Sequence, residues 1–224
     1  MITTVLIDID NTLLDFDECA RLSAEKAFAD FGLPMREDVF AVFTAVNNFL
    51  WSQIEARKLT RDELHKIRWQ MIFDELEIRA DGEAFEERFV EYLFNSCVPV
   101  EGAHSLLEYL SERYKVFAAS NASLDQQKNR LGKADMLKYM SGLFVSGDIG
   151  FPKPSKEFFD ACFERLGSPP RSEVILIGDS PAADIIGGHA FGITTCWLNR
   201  GGESAADVPA DYTVSSLAQI KGIL

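Results

Sequence analysis

A series of short apolar runs separated by helical segments constrains the fold of this chain more than any other feature. The runs are residues 4–9, 115–119, 142–147, 174–177 and 193–198, with a shorter candidate edge strand at residues 210–214. They are rich in β-branched residues and nearly continuous, which is typical of parallel strands buried on both faces. Strands that alternate with helices in this way predict an α/β fold with a doubly wound parallel sheet.

One long stretch does not follow this alternation. Residues 15–98 contain four segments with apolar residues at helical spacing, many of them Phe, and Thr60–Glu63 has the sequence of a capping box. A crossover between parallel strands needs only about a dozen residues. We therefore interpret residues 15–98 as an inserted helical domain, and residues 1–14 together with 99–224 as the α/β core domain.

The composition argues against several classes of partner. The formal net charge is −13 and Lys and Arg are scattered, which disfavours binding to a nucleic acid polymer. The four cysteines lie far apart, as expected in a reducing compartment, and no apolar run reaches the length of a membrane span. We expect a cytoplasmic protein that binds no membrane and acts on a small phosphorylated metabolite. The sequence does not indicate an oligomeric state.

Polar residues follow four of the strands, where the carboxyl ends of parallel strands meet and ligands bind. They are Asp8, Asp10, Asn11 and Thr12 after the first strand, Ser120 and Asn121 after the second, Lys153 near the third, and Asp179, Ser180 and Asp184 after the fourth. The three histidines lie elsewhere, and no Gly-rich phosphate loop is present.

This set of residues favours metal-assisted phosphoryl chemistry. Buried carboxylates need a compensating positive charge, and Mg²⁺ prefers carboxylate oxygens, as does Mn²⁺. One carboxylate of the pair Asp8 and Asp10 can attack phosphorus, while the other gives a proton to the leaving oxygen and later takes one from water. Lys153 can hold a phosphate as a point charge.

Structural roles for some of these residues remain open at this point. Ser120 can cap the following helix, although Ser123 competes for that position. Asp179 and Asp184 also suit the N-terminal end of a helix, where the dipole favours negative charge.

Four segments together resemble the four motifs of the haloacid dehalogenase-like (HAD) hydrolase superfamily. They are DIDNT, the segment around Ser120, Lys153-Pro154 and GDSPAAD, in this order and over residues 5–199. The resemblance implies a Rossmann-like core with an inserted helical cap domain that closes over the site. It also implies that Asp8 is the nucleophile and that Mg²⁺ is bound by Asp8, the backbone carbonyl of Asp10, and Asp179.

The resemblance assigns the remaining site residues as well. Asp10 is implied to be the general acid and base, oriented by Thr12, which lies with the phosphate-binding residues. Ser120, the backbone of Asn121 and Lys153 are implied to bind the phosphoryl group. Asp184, with Ser180, is implied to support the lysine or a metal-bound water.

Asp10 also favours a phosphatase, because dehalogenases of the superfamily lack this aspartate, although phosphosugar mutases keep it. Asn11 and residues 187–199 resemble the bacterial noncanonical pyrimidine 5′-nucleotidases. N-acylneuraminate-9-phosphatases share a similar run. We therefore expect a Mg²⁺-dependent pyrimidine nucleoside 5′-monophosphate phosphatase. The alternatives are a sugar-phosphate phosphatase of the sialic acid type and an inactive relative that acts as a binding protein.

The helical domain carries a weaker hypothesis about specificity. Trp51 or Phe49 can stack on a pyrimidine base, whereas aromatic residues at helical spacing more often form a core.

Overall fold

A six-stranded, wholly parallel sheet forms the centre of the computed structural model, which describes residues 1–224. The strands are β1 (Thr4–Ile7), β2 (Lys115–Ser120), β3 (Gly142–Val145), β4 (Val174–Gly178), β5 (Thr194–Leu198) and β6 (Tyr212–Val214). Their order across the sheet is β3-β2-β1-β4-β5-β6. β1 is therefore central, and the order reverses between β1 and β4, which is the point where open α/β sheets bind ligands.

Helices cover both faces of this sheet. They are α5 (Ala103–Ser111), α6 (Leu124–Lys133), α7 (Ser146–Ile149), α8 (Lys156–Leu166), α9 (Gly187–Phe191) and α10 (Leu217–Ile220). Successive residues of β1 point to opposite faces, so Val5 and Ile7 lie in one buried cluster with α5 and α10, and Leu6 lies in another with α8. The predicted doubly wound α/β fold is confirmed.

Several element boundaries differ from those that the sequence indicated. β1 ends at Ile7 instead of Ile9, and the run after residue 142 leaves the sheet at Val145 and turns into α7. The segment after β4 begins as a π-helix, Pro181–Ile186, and continues as α9. In it the N–H of Ile185 reaches the carbonyl of Ser180 (3.3 Å), a five-residue spacing that α-helical periodicity does not reveal.

The chain divides into two compact units, one of residues 1–15 and 97–224 and the other of residues 16–96. Residues 16–96 form a helical unit. Its helices are α1 (Phe16–Asp30), α2 (Val39–Glu55), α3 (Arg61–Glu75) and α4 (Gly82–Phe94). Trp69 occupies the middle of its core, with five phenylalanine rings at centroid distances of 4.4–5.9 Å. The capping box at Thr60 and Glu63 is present at the start of α3.

An ion pair is buried inside this helical unit. Arg68 on α3 and Glu86 on α4 are 2% and 3% exposed, and two guanidinium nitrogens donate to the carboxylate at 2.5 and 3.1 Å. Arg68 also donates to the side-chain carbonyl of Asn47 on α2 (2.9 Å). These contacts tie three of the four helices together.

The chain leaves the core unit and re-enters it at one place. The N–H of Asp15 donates to the carbonyl of Val98 (2.8 Å), the N–H of Val100 donates to Leu13 (2.9 Å), and Leu14 forms an antiparallel bridge with Pro99. The two segments that lead to and from the helical unit are therefore paired with each other.

None of the helices combines the length and the apolar character that crossing a bilayer requires.

Candidate active site

Asp8 lies at the carboxyl edge of the sheet, immediately after β1. Its backbone N–H donates to the carbonyl of Ile177 (2.8 Å), which continues the β1–β4 pairing by one residue. The residue is 7% exposed. The candidate nucleophile is therefore held by the central strands, at the position where the strand order reverses.

Lys153 compensates part of the negative charge at this edge. It is 2% exposed, and its ammonium donates to the carboxylates of Asp8 (2.7 Å) and Asp184 (2.6 Å) and to the carbonyl of Ala119 (2.6 Å). These contacts use all three of its N–H donors. Burial alone would lower the pKa of Lys153, but the carboxylates of Asp184 and Asp8 raise it above its ordinary value, so the side chain stays charged.

Asn121 fixes the loop that carries Lys153. Its side-chain amide donates to the backbone carbonyl of Lys153 (2.9 Å), and its carbonyl accepts from the backbone N–H of the same residue (2.8 Å). The sequence indicated a phosphate-binding role for the backbone of Asn121. The structure adds that the side chain joins the end of β2 to the loop between α7 and α8 that carries Lys153.

Asp184 reaches the lysine from the π-helix. One of its oxygens accepts from Lys153, and the other accepts from the N–H of Ser180 (3.1 Å). Ser180 is also the N-cap of the π-helix, because its hydroxyl accepts from the N–H of Ala183 (3.1 Å). At Gly178 a Cβ atom would lie 2.2 Å from a carboxylate oxygen of Asp184, so only glycine leaves room for this arrangement.

Asp179 follows β4 and has partners that the sequence did not indicate. The hydroxyl of Thr12 donates to its carboxylate (3.1 Å), and the indole N–H of Trp197 on β5 donates to its backbone carbonyl (2.9 Å). The expectation that Thr12 orients Asp10 therefore differs from the structure, in which the hydroxyl of Thr12 binds Asp179 on the neighbouring strand end.

Asp10 is held instead by two residues of α6. One carboxylate oxygen accepts from the guanidinium of Arg130 (2.5 Å), and the other accepts from the amide of Gln127 (2.7 Å). The same amide donates to the hydroxyl of Ser120 (2.9 Å). Of the two serines that could cap α6, Ser123 is the N-cap. Ser120 is 1% exposed and belongs to the site.

The charge of the site favours a divalent cation. Carboxylate oxygens of Asp8, Asp179 and Asp184 all lie within 4.8 Å of one another, and Lys153 is the ammonium that contacts this group. Burial raises the pKa of Asp8 well above its usual range despite Lys153, and burial together with Asp184 raises the pKa of Asp179 to about 7. Hard oxygen ligands in excess of positive charge match Mg²⁺, so the donor set fits this metal.

The two aromatic residues considered for base stacking differ in exposure. Phe49 is 53% exposed on α2, whereas Trp51 packs against a buried cluster of the helical unit that includes Leu50 and Leu64. Stacking on a base stays a prediction for both.

Known proteins resemble this chain over most of its length. A model of the haloacid dehalogenase-like hydrolases matches residues 2–192. YfnB of Bacillus subtilis (strain 168), provisionally named a HAD-hydrolase, is 32% identical over 99% of this chain and 94% of its own length. A crystal structure of YfnB bound to magnesium has a TM-score of 0.94 at 31% identity and covers 100% of this chain and 98% of that chain.

Two further relatives carry a specific activity in their names. The pyrimidine 5′-nucleotidase YjjG of Escherichia coli (strain K12) is 30% identical over 98% of this chain and 96% of its own. The pyrimidine 5′-nucleotidase PynA of Streptococcus pneumoniae (strain ATCC BAA-255 / R6) is 30% identical over 87% of this chain and 83% of its own. The similarity to proteins of this kind extends over most of the chain.

Proposed function

The chain belongs to the haloacid dehalogenase-like hydrolase family, and from this premise we propose that it is a Mg²⁺-dependent phosphomonoesterase. The observation that carries the proposal is the group of four aspartates and one lysine at the carboxyl edge of the sheet. Lys153 is buried between two of these carboxylates, and Asp10 follows Asp8 by two residues. Buried charges in this number are expected at a reaction centre.

In the proposed reaction a carboxylate oxygen of Asp8 attacks the phosphorus atom. The bond between phosphorus and the ester oxygen breaks, and an aspartyl phosphate remains on Asp8. Lys153 holds the attacking carboxylate in place through its 2.7 Å hydrogen bond. Its position is fixed in turn by Asp184 and Asn121, so that the nucleophile and the cation move little during the reaction.

Asp10 is proposed to move the protons. It gives a proton to the departing ester oxygen and then accepts one from the water whose oxygen attacks the phosphorus. This second attack breaks the bond to Asp8 and releases inorganic phosphate. The buried hydroxyl of Ser120 and the backbone of Asn121 are proposed to bind the phosphoryl oxygens.

Asp8, the backbone carbonyl of Asp10, and Asp179 are proposed to hold Mg²⁺. The ion would supply positive charge to the phosphoryl oxygens when bound. Asp184 is proposed to act through Lys153, whose ammonium donates to it at 2.6 Å.

The proposed substrate is a pyrimidine nucleoside 5′-monophosphate. Support comes from YjjG and PynA, both named pyrimidine 5′-nucleotidases and both 30% identical to this chain. The net charge of −13 argues against a polyanionic partner and is compatible with a small phosphorylated substrate whose charge is offset by a cation within the site.

The test is phosphate release from a panel of phosphomonoesters, with Mg²⁺ and with EDTA. The panel contains dUMP, dTMP, UMP, AMP, N-acetylneuraminate-9-phosphate, phosphoglycolate and hexose phosphates. Metal-dependent release concentrated on the pyrimidine nucleotides is expected. Release from sugar phosphates alone would keep the mechanism and overturn the substrate, and no release from any compound would favour the binding protein.

The nucleophile has its own variant. Asp8→Asn is expected to abolish phosphate release, whereas Asp125→Asn, at an exposed aspartate of α6, should behave as the wild type. Continued hydrolysis by Asp8→Asn would refute the assignment of Asp8.

A further inference from the structure

Two residues of α6 that belong to none of the four motifs contact Asp10. Gln127 and Arg130 are both 0% exposed and lie one helical turn apart, so their side chains lie on the same face of the helix. Their neighbours Gln126 and Lys128 are partly or fully exposed. The helix is polar along most of its length, and it nevertheless buries these two polar side chains.

The burial of Arg130 needs a charged partner. Arginine is rarely fully buried unless it is paired, because removing a guanidinium from water costs several kcal/mol. Its charged partner is Asp10, at 2.5 Å, and the carboxylate side chain of that residue is 30% exposed. The side chain of Arg130 is therefore fully buried, whereas the carboxylate of Asp10 is partly exposed to solvent.

Gln127 completes the arrangement. Its carbonyl oxygen accepts from Arg130 (3.3 Å), which orients the amide so that the nitrogen donates to Asp10 (2.7 Å) and to Ser120 (2.9 Å). One amide group therefore connects the proposed acid and base with a proposed phosphate-binding hydroxyl.

We propose that Gln127 and Arg130 are positioning residues for the proton transfers of Asp10, an inference that rests on the proposed function. Arg130 holds one oxygen of the carboxylate and Gln127 holds the other. Through Ser120 the same network sets the distance between the proton donor and the bound phosphoryl group. A displacement of about 1 Å in such a group can lower a rate about 100-fold, so the network matters although neither residue touches the substrate.

The choice of leaving group separates this role from a structural one. The value of kcat/KM reports the steps up to the departure of the leaving group, where Asp10 acts as an acid. An alkyl phosphate such as dUMP needs a proton on its departing oxygen. p-Nitrophenyl phosphate does not, because its phenolate is a weakly basic leaving group. A loss of Asp10 positioning should therefore affect the two substrates unequally.

The variants are Arg130→Met, Arg130→Lys and Gln127→Glu, assayed with p-nitrophenyl phosphate and with the alkyl phosphomonoester that the wild type turns over best. For Arg130→Met and Gln127→Glu we expect kcat/KM to fall about 100-fold for the alkyl ester and less than about 3-fold for the aryl ester. Arg130→Lys should recover part of the loss. Lys128→Met and Gln126→Glu, on the same helix, are the matched controls and should change neither value.

Each outcome of this assay supports or overturns the positioning role of Gln127 and Arg130. Equal losses for both esters would show that the residues only support the fold, and wild-type values in both variants would show that Asp10 does not depend on them; either result overturns the inference while the proposed function stands. Gln127→Glu keeps the volume of the side chain, so the test does not depend on the folding of Arg130→Met. A wild type that hydrolyses neither ester would overturn the proposed function and the inference together.

Discussion

Replacing Lys153 by Met removes the ammonium from the buried carboxylates and should destabilise the protein in a pH-dependent way. Lys153 donates to both Asp8 and Asp184 and is 2% exposed, so its loss leaves buried negative charge without a partner. Breaking a buried ion pair in this way typically costs about 3–5 kcal/mol. Met has a similar length and keeps most of the packing.

The cost has an upper limit that depends on pH. Each of the two buried carboxylates can take up a proton when Lys153 is lost, which for a pKa of about 3.9 in the unfolded chain costs about 4 kcal/mol at pH 7 and about 1.5 kcal/mol at pH 5. The folded pKa of such a carboxyl is raised, so its contribution to stability is lost as the pH increases. Lys153→Met should therefore lose about 3–5 kcal/mol at pH 7 and no more than about 3 kcal/mol at pH 5.

The assay is urea unfolding followed by circular dichroism, in EDTA, at both pH values. Lys156→Met is the matched control, because Lys156 pairs with Asp160 on the surface and its side chain is 71% exposed. This control should stay within about 0.5 kcal/mol of the wild type. A loss for Lys153→Met that is the same at pH 5 and pH 7 would assign the effect to packing, and no loss would refute the argument from charge.

Three further predictions concern other parts of the molecule. Gly178→Ala should lower the free energy of unfolding by about 1–3 kcal/mol, because the added Cβ would lie 2.2 Å from a carboxylate oxygen of Asp184. Gly132→Ala in α6, where no atom lies within 4 Å of the added Cβ, should raise the free energy of unfolding by about 0.5 kcal/mol. Thermal melts in EDTA check both variants. Arg68→Met should cost up to about 3–5 kcal/mol in urea unfolding, because the buried Glu86 loses its arginine and keeps the imidazole of His65 (2.7 Å) as a partner. Mg²⁺ should raise the melting temperature more at pH 8 than at pH 6, because Asp179, with a pKa of about 7, is largely protonated at the lower pH; equal shifts at both pH values would contradict this.

The residues at the strand ends could be located from the sequence because each follows a recognisable apolar run. Asp8 and Asp179 come directly after strands that pair with each other, so the topology alone brings them together. The same reasoning places Lys153 only approximately, because the loop that carries it is aligned by the side chain of Asn121.

The partners of Asp10 could not be found in this way. The α6 sequence LDQQKNRLGK is mostly polar, and its two leucines, Leu124 and Leu131, do not by themselves show that Gln127 and Arg130 between them are buried. The resemblance to the HAD motifs implied Thr12 as the residue that orients Asp10. The structure assigns that hydroxyl to Asp179, since the turn after β1 directs it toward the adjacent strand end.

The pairing of residues 13–15 with residues 98–100 also bears on how such a protein can change over generations. The chain leaves the core unit and re-enters it at residues that are hydrogen-bonded to each other. The gene segment that encodes residues 16–96 therefore lies between codons for two neighbouring segments of the folded core. Exchange or shortening of that segment leaves every strand pairing of the sheet intact. The sequence of the core unit, which carries the candidate site residues, and the sequence of the helical unit can therefore diverge at different rates.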